Sequence, residues 1–461
     1  MVFSSIPFLY YFLPAVLAVY FLTPRKGKNA VLLLASLIFY GWGELRLLPL
    51  MVFTIGLCYV CGLGIERSRN RKKLWLLASI VISVGLLGVF KYADFFIANF
   101  NALTGLSVPL LRVTLPIGIS FYTFQIAAYV MDVYWKKVPE ERSFINLGTY
   151  LTMFPQLIAG PIVNYAEVNK NLRKRTVTFA EFEQGIRILI IGLGAKVIVA
   201  DRIGMLWNSV QTIGFNSIST KLAWLGAMAY SMELYFDFSG YSMMAIGLGK
   251  MLGFQIPVNF RFPYISKSIT EFWRRWHITL GRWFRDYVYI PLGGNRRGKG
   301  RTLFNLFVVW SLTALWHGAD YNFLIWGGML LGLMFIEKLF LYPYLEKSKV
   351  LSHLYLLLVV PVTWVAFAIS DVHQLGIYLA RMFPVVPIQT GVINPQDFVN
   401  YLQDYAGLLL IGAIFSTPLP AKIYGRIKNS VVGTFAVAVI FFLSMYYLAI
   451  SENNPFLYFN F

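Results

Sequence analysis

Apolar runs about as long as a bilayer is thick recur along this sequence, and they leave the chain few ways to fold. Ile6–Leu22, Ala30–Gly43, Leu48–Ile65 and Leu74–Phe90 open the series. A helix of roughly 20 apolar residues crosses a hydrocarbon core of about 30 Å. The 461 residues are 58% hydrophobic and only 13% charged, against about 25% charged in soluble domains. The sequence therefore reads as an all-α polytopic membrane protein. Its formal net charge of +19 does not imply nucleic acid. The basic residues sit in short clusters between apolar runs, as in cytoplasmic loops facing anionic membrane lipid.

These clusters orient the spans. Arg25, Lys26 and Lys28, then Arg67 to Lys73, then Lys136 and Lys137 follow alternate runs, which puts the N-terminus outside. Ile6–Leu22 lacks a basic leader and a small-residue cleavage site, so it is expected to be a retained helix. Thr114–Val133 returns inward, Ile186–Ala200 crosses out, Leu222–Phe236 crosses back, and Met243–Phe254 is a further partial span. Leu303–Trp316, Asn322–Phe340 and Tyr355–Ile369 follow. An outer loop, Asp371–Tyr405, precedes Ala406–Phe415 and Val431–Ile450, which enclose Lys422, Arg426 and Lys428. The expectation is one domain over residues 1–461 with about 11–13 membrane helices, without a fixed-period repeat or soluble linker.

Phe154–Pro161 breaks this pattern. It is apolar but carries two prolines and a glycine, and proline removes a backbone donor and clashes with the preceding turn. A re-entrant or broken helix is expected, allowed where protein or a watery cavity satisfies the freed backbone. Cys58 and Cys61 lack the context of a redox or zinc site and are expected to be small core residues.

The stretch Asn259–Trp326 gathers the residues that point to chemistry. His277 lies in Glu271-Phe-Trp-Arg-Arg-Trp-His-Ile-Thr-Leu280, and His317 in Leu312-Thr-Ala-Leu-Trp-His-Gly-Ala319. Histidine changes charge near neutral pH, and an ionisable group at membrane depth reads as functional by default. A buried neutral imidazole accepts a proton from a hydroxyl as that hydroxyl attacks a carbonyl. Against this stands a histidine that only hydrogen-bonds two helices. Thr270–Tyr289 carries Trp273, Trp276, Trp283, Phe284 and Tyr287 at helical spacing, with Arg274, Arg275, Arg282 and Arg285 mostly off that face. Such a helix suits the membrane interface. Its arginines, with Arg296 and Arg297 in the glycine-rich Pro291–Arg301, also suit phosphate recognition in a nucleotide-like donor. The P-loop, G-x-S-x-G and H-E-x-x-H spacings are absent, so no metal and no hydrolase nucleophile is expected. Asp237, in Tyr235-Phe-Asp-Phe-Ser-Gly-Tyr241, is either part of a polar network or, with Ser239, a helix cap.

Taken in order, these motifs resemble the membrane-bound O-acyltransferase (MBOAT) family, and within it the bacterial branch for alginate O-acetylation. Leu115-Pro-Ile-Gly-Ile-Ser-Phe-Tyr-Thr-Phe-Gln125, Phe154–Pro161, Tyr235–Ser242, Glu271–Leu280, Arg285–Asn295, Leu315–Ala319 and Asn454–Phe461 carry the resemblance. It implies a ring of helices around a thinned centre, with its catalytic core in 259–326. His317 then matches the family's catalytic histidine and is assigned as general base. His277 matches its second characteristic histidine and is assigned a positioning role. The implied donor is acetyl-CoA, with no permanently bound cofactor. The implied partner is an extracytoplasmic SGNH-type acetyltransferase that delivers the acetyl group to a polysaccharide, and the implied location is the bacterial cytoplasmic membrane. One departure is Met243, where the family usually has aspartate. Two alternatives stay open: D-alanyl transfer from a carrier protein towards teichoic acid, and a transporter or flippase built on broken helices.

Overall fold

The computed structural model describes residues 2–158, 160–385, 387, 389, 391–450 and 456–457, and all regular structure among them is helical. Among the described residues, six helices are long and apolar enough to cross a membrane: Arg25–Arg67, Lys72–Thr104, Tyr321–Lys347, Lys349–Ala368, Asp397–Phe415 and Val431–Ile450. Other expected spans form shorter or more polar helices, among them Phe179–Gly194 and Lys299–His317. Val431, Phe435 and Phe442 stand at least two-thirds exposed along one helix, a surface suited to lipid. This is a multi-pass membrane protein. Ala159, three positions of the expected outer loop (386, 388 and 390), and all but Phe456 and Leu457 of the closing Asn454–Phe461 lie outside the described residues.

The chain divides into two compact units, Met1–Leu189 with Tyr241–Val258, and Ile190–Gly240 with Asn259–Phe461. In the first unit the expected break at Phe154 is present. Phe144–Thr152 ends just before the short Phe154–Leu157 helix, because the Pro155 ring would clash with the carbonyl four residues earlier. The freed backbone is met by side chains. Phe154 N donates to Ser36 Oγ (3.0 Å), and Gln156 Nε2 donates to Tyr150 O (2.5 Å). Gly118, at φ +75°, opens the adjoining Ile119–Tyr134 helix, and a Cβ there would lie 2.6 Å from Leu157 O. The expected span from Thr114 thus starts later, at Ile119. Buried Glu141 accepts from Tyr165 Oη (2.6 Å) and Ser143 N (2.9 Å). Cys58 and Cys61 are buried free thiols within Leu48–Arg67.

Two expected spans prove to be one element. Leu222–Phe236 and Met243–Phe254 belong largely to a single 32-residue helix, Thr220–Met251. The polar insert at Asp237 does not end it, because the carboxylate has a partner. Lys196 Nζ lies 2.7 Å from Asp237 Oδ1 and 2.6 Å from Asp201 Oδ1, and Asp237 Oδ2 accepts from Leu457 N (3.0 Å). Asp237 is therefore a network member and not a cap. Gly240 permits the approach, since a Cβ there would sit 2.7 Å from Gly192 O. Small residues at such crossings let helix backbones close up.

The expected outer loop Asp371–Tyr405 is partly helical. Val372–Met382 is a helix capped by Asp371, with Tyr378 and Leu375 buried, and Asp397–Phe415 begins within the former loop. An amphipathic stretch too short to span still forms a helix where the protein covers its apolar face. Tyr378 Oη donates to Ala223 O (2.7 Å), tying this segment to Thr220–Met251.

Lys196 is 2% exposed and holds two carboxylates. Removing one partner of a buried pair costs about 3–5 kcal/mol, whereas exchanging both for apolar groups is often neutral. Lys196→Met should therefore lower the thermal denaturation midpoint in detergent, and Lys196→Met/Asp237→Leu should recover part of the loss. An unchanged midpoint for the single variant contradicts this account.

Candidate active site

The expected interfacial helix over Thr270–Tyr289 is two helices joined at a histidine. Ile269–Arg275 and Ile278–Phe284 meet at Trp276 and His277, and His277 takes the left-handed conformation (φ +43°, ψ +52°). A non-glycine residue there is uncommon and is held by its surroundings. Here those surroundings are a strap of chain. Arg261 N donates to Arg275 O (2.9 Å), and Ile278 N donates to Asn259 O (2.9 Å). One hydrogen bond lies on each side of the kink.

Side chains cap the starts of both short helices. Ser268 Oγ accepts from Glu271 N (3.0 Å). Glu337, fully buried, accepts from Ile269 N and from Thr270 N and Oγ1 (3.0 and 2.8 Å). At the second helix His277 supplies no side-chain cap. Asn259 Oδ1 supplies it instead, accepting from Thr279 N (3.2 Å) and Oγ1 (2.9 Å) and lying 3.2 Å from His277 Nδ1. Glu337 and Asn259 went unassigned from sequence. A carboxylate inside an apolar run, and an asparagine 18 residues before a histidine, carry no local pattern.

The aromatic face does not meet lipid. Trp276, Trp283, Phe284 and Tyr287 are buried in protein. Trp273 packs on Trp310, Trp326 and Trp364 (ring centroids 5.0, 5.6 and 5.9 Å), and Trp276 on Trp364 (4.8 Å). Tryptophans from Lys299–His317, Tyr321–Ile336 and Lys349–Ala368 pack on Trp273 and Trp276, so this part of the face belongs to the core.

Within this core stand both histidines. His317 is the last residue of Lys299–His317 and is 7% exposed. The rings of Trp316, Trp326 and Phe367 surround it at 4.8, 4.9 and 5.2 Å. His277, 2% exposed, meets Phe238 at 4.8 Å and the same Trp316 at 6.0 Å. One indole thus touches both imidazoles. Burial pushes the His277 imidazole towards its neutral form, because low-dielectric surroundings disfavour the imidazolium. His353 sits in the first turns of Lys349–Ala368 and His373 in Val372–Met382, and neither joins this core.

The six candidate donor-binding arginines fall into separate groups. Arg275 is engaged by Glu271 Oε1 (2.7 and 2.9 Å), and Arg285 by Asp286 Oδ1 (2.8 Å). Arg282 is half-buried, and Arg274, Arg296 and Arg297 are exposed. Arg296 and Arg297 lie in a turn with Gly293, Gly294 and Gly298 at positive φ. Arg301 Nε and Asn305 Nδ2 donate to Leu292 O and Gly294 O (both 2.8 Å) and pin this turn to the start of Lys299–His317. His317 ends that 19-residue helix, about 28 Å away at 1.5 Å per residue. No compact anion spans that distance. Among the described residues no cluster of three or more His, Cys, Asp or Glu suits a metal ion.

A family model described as MBOAT, membrane-bound O-acyltransferase family, matches residues 135–372, which include both histidines. The chain is 41% identical over 404 residues to a probable alginate O-acetylase of Pseudomonas syringae, covering 86% of this chain and 77% of that protein. It is 36% identical over 489 residues to a probable alginate O-acetylase of Pseudomonas putida, across 100% of both. It is 31% identical over 519 residues to a peptidoglycan O-acetyltransferase of Helicobacter pylori, covering 100% and 98%. A multi-pass helical chain with these likenesses is a membrane O-acyltransferase. It belongs to the membrane-bound O-acyltransferase family.

Gly318 follows His317 in extended backbone, and a Cβ there would overlap the Phe323 ring. Phe323 in turn packs on Phe367 (5.1 Å). Overpacking of this kind costs about 1–3 kcal/mol. Gly318→Ala should reduce turnover and stability, and Phe323→Leu should partly relieve the defect in the double variant. Strictly additive losses in that cycle would show that the two positions do not press on each other.

Proposed function

We propose that this protein transfers an acetyl group from cytoplasmic acetyl-CoA across the bacterial cytoplasmic membrane towards hydroxyl groups of an extracytoplasmic polysaccharide such as alginate. An SGNH-type acetyltransferase outside the membrane completes the delivery. The observation that carries this reading is the pair of buried imidazoles on Trp316, in a chain whose full-length relatives bear the names of polymer O-acetylases. A neutral imidazole is the form that takes a proton.

In this reading the acceptor hydroxyl attacks the thioester carbonyl, and its proton passes to His317 as the C–O bond forms. The C–S bond breaks, and the departing sulfur takes that proton to leave as free coenzyme A. His277 orients the reactants beside it. Apolar rings on several sides keep water from competing as nucleophile. Arg296 and Arg297 favour the phosphates of an extended donor whose thioester reaches towards His317, and Arg274, Arg282 and Arg285 offer further cationic contacts nearer His277.

Purified protein in proteoliposomes, given acetyl-CoA labelled on the acetyl group, tests this directly. Wild type should release coenzyme A, and His317→Ala should bind donor but release it about 10²–10⁴-fold more slowly, the usual contribution of a general base. Wild type inert with acetyl-CoA but active with an acyl carrier protein would replace the donor. His317→Ala turning over like wild type with either donor would overturn the assignment and favour a transporter.

A further inference from the structure

The hydrogen bonds around Asn259 fix the place of one ring proton. Asn259 is 1% exposed, and its Oδ1 lies within 3.2 Å of three groups: Thr279 N, Thr279 Oγ1 and His277 Nδ1. A backbone N–H can only donate. The amide of Asn259 must therefore present its oxygen to Thr279 N, because the flipped amide would set Nδ2 against that N–H, donor against donor. With oxygen fixed there, His277 Nδ1 also faces an acceptor. An unprotonated Nδ1 would place lone pair against lone pair, so Nδ1 carries the proton. In the neutral ring only one nitrogen does. His277 Nε2 then holds the lone pair, and it is buried without a hydrogen-bond partner among the described residues.

We infer that Asn259 is a positioning residue that holds His277 in the tautomer protonated at Nδ1 and so presents Nε2 as a hydrogen-bond acceptor. Its use in catalysis rests on the acyl-transfer reading above: an acceptor hydroxyl would donate its O–H to Nε2 and be aligned beside His317. Backbone and side chain act together here. Asn259 O holds Ile278 N (2.9 Å) and fixes the left-handed turn at His277, while Oδ1 fixes the proton on the ring. The rings that pack on the imidazole, Phe238 and Trp316, offer neither charge nor an oxygen that would select the other tautomer. This makes the asparagine the determinant.

The test reads the proton without requiring turnover. The chain has four histidines, so ring-15N-histidine protein in lipid bilayers gives few signals, and His277→Gln assigns the pair of interest. Wild type should show a protonated Nδ1 and a bare Nε2 at neutral pH. Asn259→Asp keeps an oxygen in place, so Nδ1 should stay protonated while Nε2 gains a proton at pH values where wild type remains neutral. Asn259→Ala should move His277 towards the Nε2-protonated form and slow coenzyme A release at least tenfold, with the KM for acetyl-CoA little changed. A bare Nδ1 in wild type, or identical ring signals in wild type and Asn259→Asp across pH, overturns the inference. If Asn259→Ala does not fold, wild type and Asn259→Asp still decide it. Because the spectra need no donor, wild type inert with acetyl-CoA would count against the donor and leave the tautomer result standing.

Discussion

A polar group that leaves water must find its partner inside the protein, and in a membrane this constraint is at its most severe. In this chain it decides where the helices end. Departures from regular helix near the core are bounded by a side chain that accepts or donates the orphaned hydrogen bonds. Ser36 meets Phe154 N, Glu337 meets Ile269 N and Thr270 N, and Asn259 meets Thr279 N. The same logic runs through the middle of Thr220–Met251, where Lys196 lets the helix carry Asp237 without breaking. Breaks and continuities alike follow from whether a partner is at hand.

The aromatic core follows from the same constraint. Glu337 and Asn259 fix the starts of the two short helices, and the tryptophans between those helices and their neighbours fill the space. Enclosure by rings has a chemical consequence. It surrounds both imidazoles with apolar rings and favours the uncharged form of His277, and it places Trp316 against each. A site assembled this way depends on packing for its geometry and on a few buried hydrogen bonds for its protonation.

Much of this was legible in the sequence, and the gaps have physical causes. Long apolar runs such as Val431–Ile450 declared themselves because composition alone fixes a membrane helix, and the structure reproduces those bounds. The break at Phe154 was legible because proline forbids continuation. Three features were not. The continuity of Thr220–Met251 depends on Lys196, which lies 41 residues before Asp237 in sequence. The kink at His277 depends on Asn259, and a histidine carries no local mark of a left-handed backbone. The aromatic stripe of Trp273, Trp276 and Trp283 fits a lipid-facing helix and a buried one equally well, because periodicity reports a covered face without saying what covers it.

The separation between the arginine turn and His317 adds a last constraint on any mechanism. The turn is fastened to one end of Lys299–His317 by Arg301 and Asn305, and the histidine stands at the other. A regular helix of that length does not shorten, so the two ends hold a fixed spacing comparable to the bilayer's hydrocarbon thickness. Lys299–His317 thus works as a ruler. It keeps a basic turn and a buried imidazole apart by about 28 Å. Changes in Arg296 or Arg297 need not disturb His317, which stands among apolar rings at the other end of the helix.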